Sequence, residues 1–310
     1  MKKNWFDEKI KKFSLIGGYQ KPELVEDSIK LDSNENYVIP KQFQNDIISS
    51  ARKNSDIREY PLGGVERLID TISKFVKIPS SMIGVGNGSD QILDLILSNF
   101  ASKETKVLTS NPTFGFFEER CKLYDVPLIA IPFSDDMKLD IKEFTKQSKN
   151  ADILYLDSPN NPTGFQFKKS ELQKLVKSFA GLVIIDEAYG EFSEYSLSSM
   201  AKTQNNLIVV QTLSKSFGLA GLRLGYFIAS KKFTETFMNV LQYPYPVSTI
   251  TIESGIHALE KSKIMTDTVS TIKIERKRII ETLKTFDAFE VFDSKANFVL
   301  FDAHGAYKRI

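Results

Sequence analysis

Three short runs near the middle of the chain, Ile153 to Leu156, Leu182 to Ile185 and Leu207 to Gln211, are almost continuously apolar and end at once in polar residues. A strand with one wet face alternates apolar and polar side chains; a strand buried on both faces does not. Segments of helical period flank these runs. Leu172, Leu175, Val176 and Phe179 mark one helix, and Ile92, Leu93, Ile96, Leu97 and Phe100 mark another that opens at Ser89, after Gly86 to Gly88. Lys106 to Thr109, Pro127 to Ile131 and Leu224 to Ala229 read as further strands, and Phe116 to Tyr124 and Ile141 to Ser148 as helices. Alternating strands and helices predict the α/β class, with a mostly parallel central sheet covered by helices. Ligands of such sheets sit at the carboxyl ends of the strands.

The chain ends read differently. Residues 262–286 hold no Gly or Pro and carry apolar residues at helical spacing, and Phe289 to Phe292 and Phe298 to Phe301 read as short strands. With 310 residues the chain has length for about two domains. The expected division is a large domain over residues 41–261, and a smaller α/β domain built from residues 1–40 and 262–310.

Charge narrows the partners. Forty-one basic and 39 acidic residues leave a net charge of +2, so no global basic field argues for nucleic acid. One cysteine and two histidines leave no internal disulfide and no Cys/His zinc site to build. No run of 18 apolar residues is present to span a membrane, and the first residues lack a signal-peptide core, so the expected location is the cytoplasm.

The polar residues that end the apolar runs suggest one chemistry. Asp186-Glu187-Ala188-Tyr189 follows the second run, and Thr212-Leu213-Ser214-Lys215 follows the third, with Arg223 eight residues on. Asp157 to Gly164, containing Asn160-Asn161-Pro162-Thr163, follows the first. A lysine beside a hydrophobic sheet loses its proton cheaply, because burial disfavours the ammonium. Such an amine can form a Schiff base with an aldehyde, and pyridoxal phosphate is the aldehyde cofactor suited to it. Its ring nitrogen calls for a facing carboxylate, which Asp186 can supply. Its phenolic oxygen calls for donors such as Asn161 and Tyr189. Its phosphate calls for an arginine and hydroxyls, which Arg223, Ser214 and Thr212 offer, and for a helix N-terminus such as the one at Ser89 and Asp90.

These segments, with Leu31 to Asn36, Tyr60-Pro61 and Gly86 to Asp90, occur in the order seen in fold-type I pyridoxal-phosphate aminotransferases. They most resemble the histidinol-phosphate aminotransferase family. The resemblance implies that Lys215 binds pyridoxal 5'-phosphate and later moves a proton, with Asp186 and Tyr189 as its catalytic companions. It implies that Phe114 stacks on the ring where a tyrosine is usual. It implies that Tyr60 reaches the neighbouring subunit's cofactor in a homodimer, and that Tyr19, Asn36 and Tyr245 lie near the substrate. The substrates implied are a phosphorylated amino alcohol and 2-oxoglutarate or glutamate, exchanging an amino group by a ping-pong route in histidine biosynthesis. Tyr37 stands where the family has proline. Family members continue for several tens of residues past Ala296 to Leu300, through an arginine that clamps the substrate, so the chain is expected to be a fragment.

Other readings compete. Asp186-Glu187 could be a magnesium site, but the phosphate loop that accompanies one is absent. Gly84 to Gly88 resembles a dinucleotide fingerprint, yet Ser110-Asn111 stand where a ribose-binding carboxylate belongs. Within the same fold, an aromatic amino-acid aminotransferase and a threonine-phosphate decarboxylase are the rivals. A non-catalytic cofactor-binding regulator ranks below them. Cys121 reads as a buried small side chain, and no metal site is expected.

Overall fold

A computed structural model describes residues 4–16, 18, 26 and 28–305. The chain opens on α1 (Trp5–Ile16), α2 (Lys41–Asn54) and α3 (Gly64–Val76). Strand β1 (Ile83–Asn87) runs straight into α4 (Gly88–Phe100), followed by β2 (Val107–Asn111), α5 (Gly115–Leu123), β3 (Leu128–Pro132) and α6 (Ile141–Gln147). Then come β4 (Ile153–Asp157), α7 (Lys169–Ser178), β5 (Leu182–Asp186), β6 (Leu207–Thr212) and β7 (Leu224–Ile228). The remainder is α8 (Lys231–Thr236), α9 (Thr249–Glu260), α10 (Ser262–Leu283), β8 (Glu290–Val291) and β9 (Phe301–Asp302).

Seven strands form one sheet in the order β1-β7-β6-β5-β4-β2-β3. The β3, β2, β4, β5 and β6 strands run parallel; β7 is antiparallel to β6 and to β1. The sheet is therefore mostly parallel, as the alternation of elements predicts.

The apolar runs are continuous because each strand feeds two cores. On β4, Ile153 and Tyr155 join a cluster with Ile92 and Ile96 of α4 and Phe117 of α5. Leu154 and Leu156 point the other way, into a cluster with Phe144 of α6 and Leu172 of α7. The same split separates Ile184 from Val183 and Ile185 on β5, and Ile208 and Val210 from Leu207 and Val209 on β6. Burying each such side chain contributes about 1.5–3 kcal/mol.

Strand β1 escapes prediction because its sequence, Ile-Gly-Val-Gly-Asn, carries two glycines. Both are needed for close approach: a Cβ on Gly84 would sit 2.3 Å from the Phe227 ring, and one on Gly86 2.8 Å from Ile92. At the far end, α10 stops at Leu283 rather than residue 286, and only Phe301–Asp302 pairs with Glu290–Val291. The expected strand from Phe298 does not form; Asn297 donates to the Asn34 carbonyl at 2.9 Å, and the Phe298 ring packs edge-on to Tyr189. Those contacts draw the segment towards the sheet edge described next.

Candidate active site

Strand direction decides what gathers at one edge of the sheet. The carboxyl ends of β1, β2, β4, β5 and β6 all open there. Because β7 runs the other way, its first residue lies at the same edge, and Arg223 immediately precedes it. The edge therefore collects Ser89 and Asp90 after β1, Phe114 after β2, Asn161 after β4, Asp186 and Tyr189 at and after β5, and Thr212, Ser214 and Lys215 at and after β6. All of these residues, with Arg223, line one cavity of about 340 Å³.

The amine of Lys215 donates to the Ser33 carbonyl at 2.7 Å and lies 5.9 Å from the centre of the Tyr189 ring. Burial lowers its pKa from the usual lysine value. Asp186 is 3% exposed. Its carboxylate accepts from the Ala188 amide at 3.0 Å and from the Tyr155 hydroxyl at 3.2 Å. Burial, and then the neighbouring Asp157, push its pKa up to about 7. The Tyr189 hydroxyl accepts from the Asn34 amide at 3.0 Å.

A second cluster lies beside the N-terminus of α4. Asn87, which precedes that helix, makes no side-chain cap, and the first amides of a helix have no partner within it. Gly225 lets β7 approach: a Cβ there would stand 2.3 Å from the Ser89 nitrogen. Gly88 takes a φ of +79°, with the Arg223 guanidinium close by. That guanidinium pairs with Asp90 at 2.8 Å. The Thr212 hydroxyl donates to the Ser214 hydroxyl at 2.9 Å and accepts from the Ser214 amide at 3.1 Å. Amides, hydroxyls and a guanidinium thus lie together beside the cavity, a set of groups suited to an anion.

Three expected site residues lie elsewhere. Asn36 does not line the cavity; it is buried, its amide nitrogen donates to the Ser216 carbonyl at 2.8 Å, and its oxygen accepts from the Val38 amide at 3.0 Å. It ties the N-terminal segment to the loop that bears Lys215, and Asn34 lines the cavity in its stead. Tyr60 and Tyr245 stack on each other with ring centres 4.4 Å apart, largely exposed and outside the cavity. Tyr19 lies outside the described residues.

Asp32, Ser33, Asn34, Phe116 and Asp157 also line the cavity without a role foreseen for them. For Asp157 the signal was present, a carboxylate ending a buried run as Asp186 does, but only the pairing of β4 with β5 reveals that the two lie side by side. Cys121 is buried, and burial pushes its thiol up to about 12.

Known proteins resemble this chain in sequence and fold. A histidinol-phosphate aminotransferase from Pyrococcus furiosus is 33% identical over 273 residues, covering 88% of this chain and 78% of the relative. The crystal structure of the histidinol-phosphate aminotransferase from Clostridium acetobutylicum superposes with a TM-score of 0.78 at 28% identity, over 87% of this chain and 81% of that one. That of the Sinorhizobium meliloti histidinol-phosphate aminotransferase, in complex with pyridoxal-5'-phosphate, gives a TM-score of 0.80 at 23% identity, over 89% and 76%; at that identity the likeness speaks to the fold alone. Residues 26–309, which hold every strand of the sheet and the cavity at its edge, match the family model for aminotransferase class I and II, and the chain belongs to that family.

Proposed function

We propose that the chain is a histidinol-phosphate aminotransferase that uses pyridoxal 5'-phosphate to move an amino group from a phosphorylated amino alcohol to 2-oxoglutarate in histidine biosynthesis. The observation that carries the reading is the buried carboxyl of Asp186 facing the same cavity as the half-buried amine of Lys215. Curated relatives at about one-third identity, covering 78% of their own length, support the substrate.

The residues fit the cofactor. A buried carboxyl whose partners are an amide and a phenol is suited to a protonated ring nitrogen. The uncapped start of α4, the Gly225 clearance and Arg223 suit a phosphate. When bound, pyridoxal phosphate supplies an electron sink for the substrate's α-carbon. The protein's part is then positional. Lys215 attaches the cofactor and, with its pKa lowered by burial, carries a proton as base and acid at Nζ. Asp186 holds the ring-nitrogen proton. Tyr189 and Asn161 orient the phenolic oxygen, and Phe114 covers one ring face. Arg223, Ser214, Thr212 and the amides of Ser89 and Asp90 hold the phosphate.

The same proposal includes a homodimer in the cytoplasm. Tyr60 and Tyr245 form an exposed aromatic pair outside their own cavity, and α1 presents Trp5, Phe6, Ile10 and Leu15 to solvent. Tyr60 would complete the partner's phosphate site. No helix among the described residues is long and apolar enough to cross a membrane. Residues 1–40 and 262–310 would form the smaller domain that meets the substrate.

The test is amino transfer from histidinol phosphate to 2-oxoglutarate, run beside transfer from phenylalanine and carbon dioxide release from threonine phosphate. Transfer from histidinol phosphate at the highest kcat/KM is expected. Preference for either rival substrate overturns the assignment.

A further inference from the structure

The proposed chemistry uses one buried carboxylate, and the cavity floor holds two. Asp157 ends β4 as Asp186 ends β5, and the two are aligned in the parallel ladder. Aligned residues of neighbouring strands lie about 4.8 Å apart at the backbone and share a face. That face is the α4–α5 side, to which Tyr155 and Ile184 also point. Asp157 is 8% exposed, and three hydrogen-bond donors offset part of the cost of burying its charge. One oxygen accepts from the Thr113 hydroxyl at 3.0 Å and the Asn160 amide at 2.9 Å; the other accepts from the Asn161 backbone amide at 2.8 Å. The hydrogen-bond partners of both carboxyls are neutral groups.

We infer that Asp157 is a positioning residue for the ring nitrogen: as the better-solvated member of a carboxyl pair, it carries the negative charge and keeps the remaining proton on the line between Asp186 and the ring. The inference rests on pyridoxal phosphate being the cofactor. When the cofactor enters, the O–H bond of Asp186 breaks as the ring N–H bond forms, so the proton comes from the pair. The resulting cation then faces two carboxylates instead of one.

Burial pushes Asp157 up to about 6, and burial with Asp157 beside it pushes Asp186 up to about 7. The other groups facing the pair leave this order intact. Asp90 adds to the rise of Asp186 and is engaged by Arg223. Lys215 and Asp32 line the same cavity, the amine bonded to the Ser33 carbonyl. Tyr155 and Cys121 are both raised by burial and stay neutral.

The test compares wild type with Asp157→Asn in two ways. In the cofactor-free protein, carboxyls with native pKa values above the ordinary 3.8 bind more protons folded than unfolded. Stability therefore falls as pH rises from about 4 to about 7, and Asp157→Asn should flatten that fall. In the loaded protein, the nitrogen resonance of ring-labelled pyridoxal phosphate reports the ring proton directly. Its proton affinity should fall about tenfold in Asp157→Asn, the scale of one nearby charge. Thr113→Val, which keeps the carboxyl but removes one donor, should shift the resonance the same way by less, and it decides the matter if Asp157→Asn does not fold. A ring resonance that titrates as in wild type overturns the role of Asp157 while the cofactor reading stands. Failure of wild type to bind pyridoxal phosphate overturns both.

Discussion

At the scale of single residues, the site depends on where two charges are held. Asp186 is buried, and in the proposed chemistry its carboxyl stabilises charge that develops across the ring. Asp186→Asn should keep the shape of the site and lose about 10²- to 10³-fold in kcat, the range for removing one preorganised electrostatic group from an enclosed site. Steady-state kinetics with saturating cofactor check this. The cofactor-free variant should be no less stable than wild type at pH 8, since it buries an amide in place of a disfavoured charge; thermal melts check that. The cavity-lining residues Asp186, Tyr189, Thr212, Ser214 and Lys215 were legible in the sequence because they stand within a few residues of the end of an apolar run. Asn36 was not, because its motif resembles a substrate contact while its amide is spent on Ser216 and Val38. The pairing of Asp157 with Asp186 was not legible either, since strand register is a long-range property.

At the scale of elements, the proposed anion site depends on β7 lying against the start of α4. Gly225→Ala would place a methyl group 2.3 Å from the Ser89 nitrogen. The helix start must then shift, at a cost of about 1–3 kcal/mol for overpacking. Titration of the cofactor-free protein with pyridoxal phosphate should show weaker binding than wild type. Titration with pyridoxal, which lacks the phosphate, should show a smaller loss. The parallel strands β4, β5 and β6 could be read from their apolar runs, for packing on both faces leaves a local signature. Strand β1 could not, because its glycines answer to Phe227, distant in sequence on the neighbouring strand β7, and to Ile92 on the helix that follows. The Phe298 strand fails for a related reason: its neighbours Asn297 and Tyr189 claim it for the site.

At the scale of the whole molecule, the exposed Tyr60–Tyr245 pair makes sense if it serves a second copy. In a homodimer, subunits carrying Tyr60→Ala and subunits carrying Lys215→Ala have complementary defects. Mixed dimers pair an intact Lys215 in one cavity with an intact Tyr60 from the partner, so unfolding and refolding the two variants together should recover activity that neither shows alone. An absence of recovery in dimers shown to be mixed would place Tyr60 outside the partner's site. The proposed division of the chain ends from the sheet is read from composition and helical period, whereas a contact between subunits would leave no signature within one chain's pattern. Lys215 is the proposed attachment point of the cofactor. Borohydride trapping of the protein loaded with pyridoxal phosphate, followed by peptide mass mapping, tests it directly. The predicted result is a single pyridoxyl label on the peptide carrying Lys215, absent from Lys215→Ala; a label on a different lysine would contradict it.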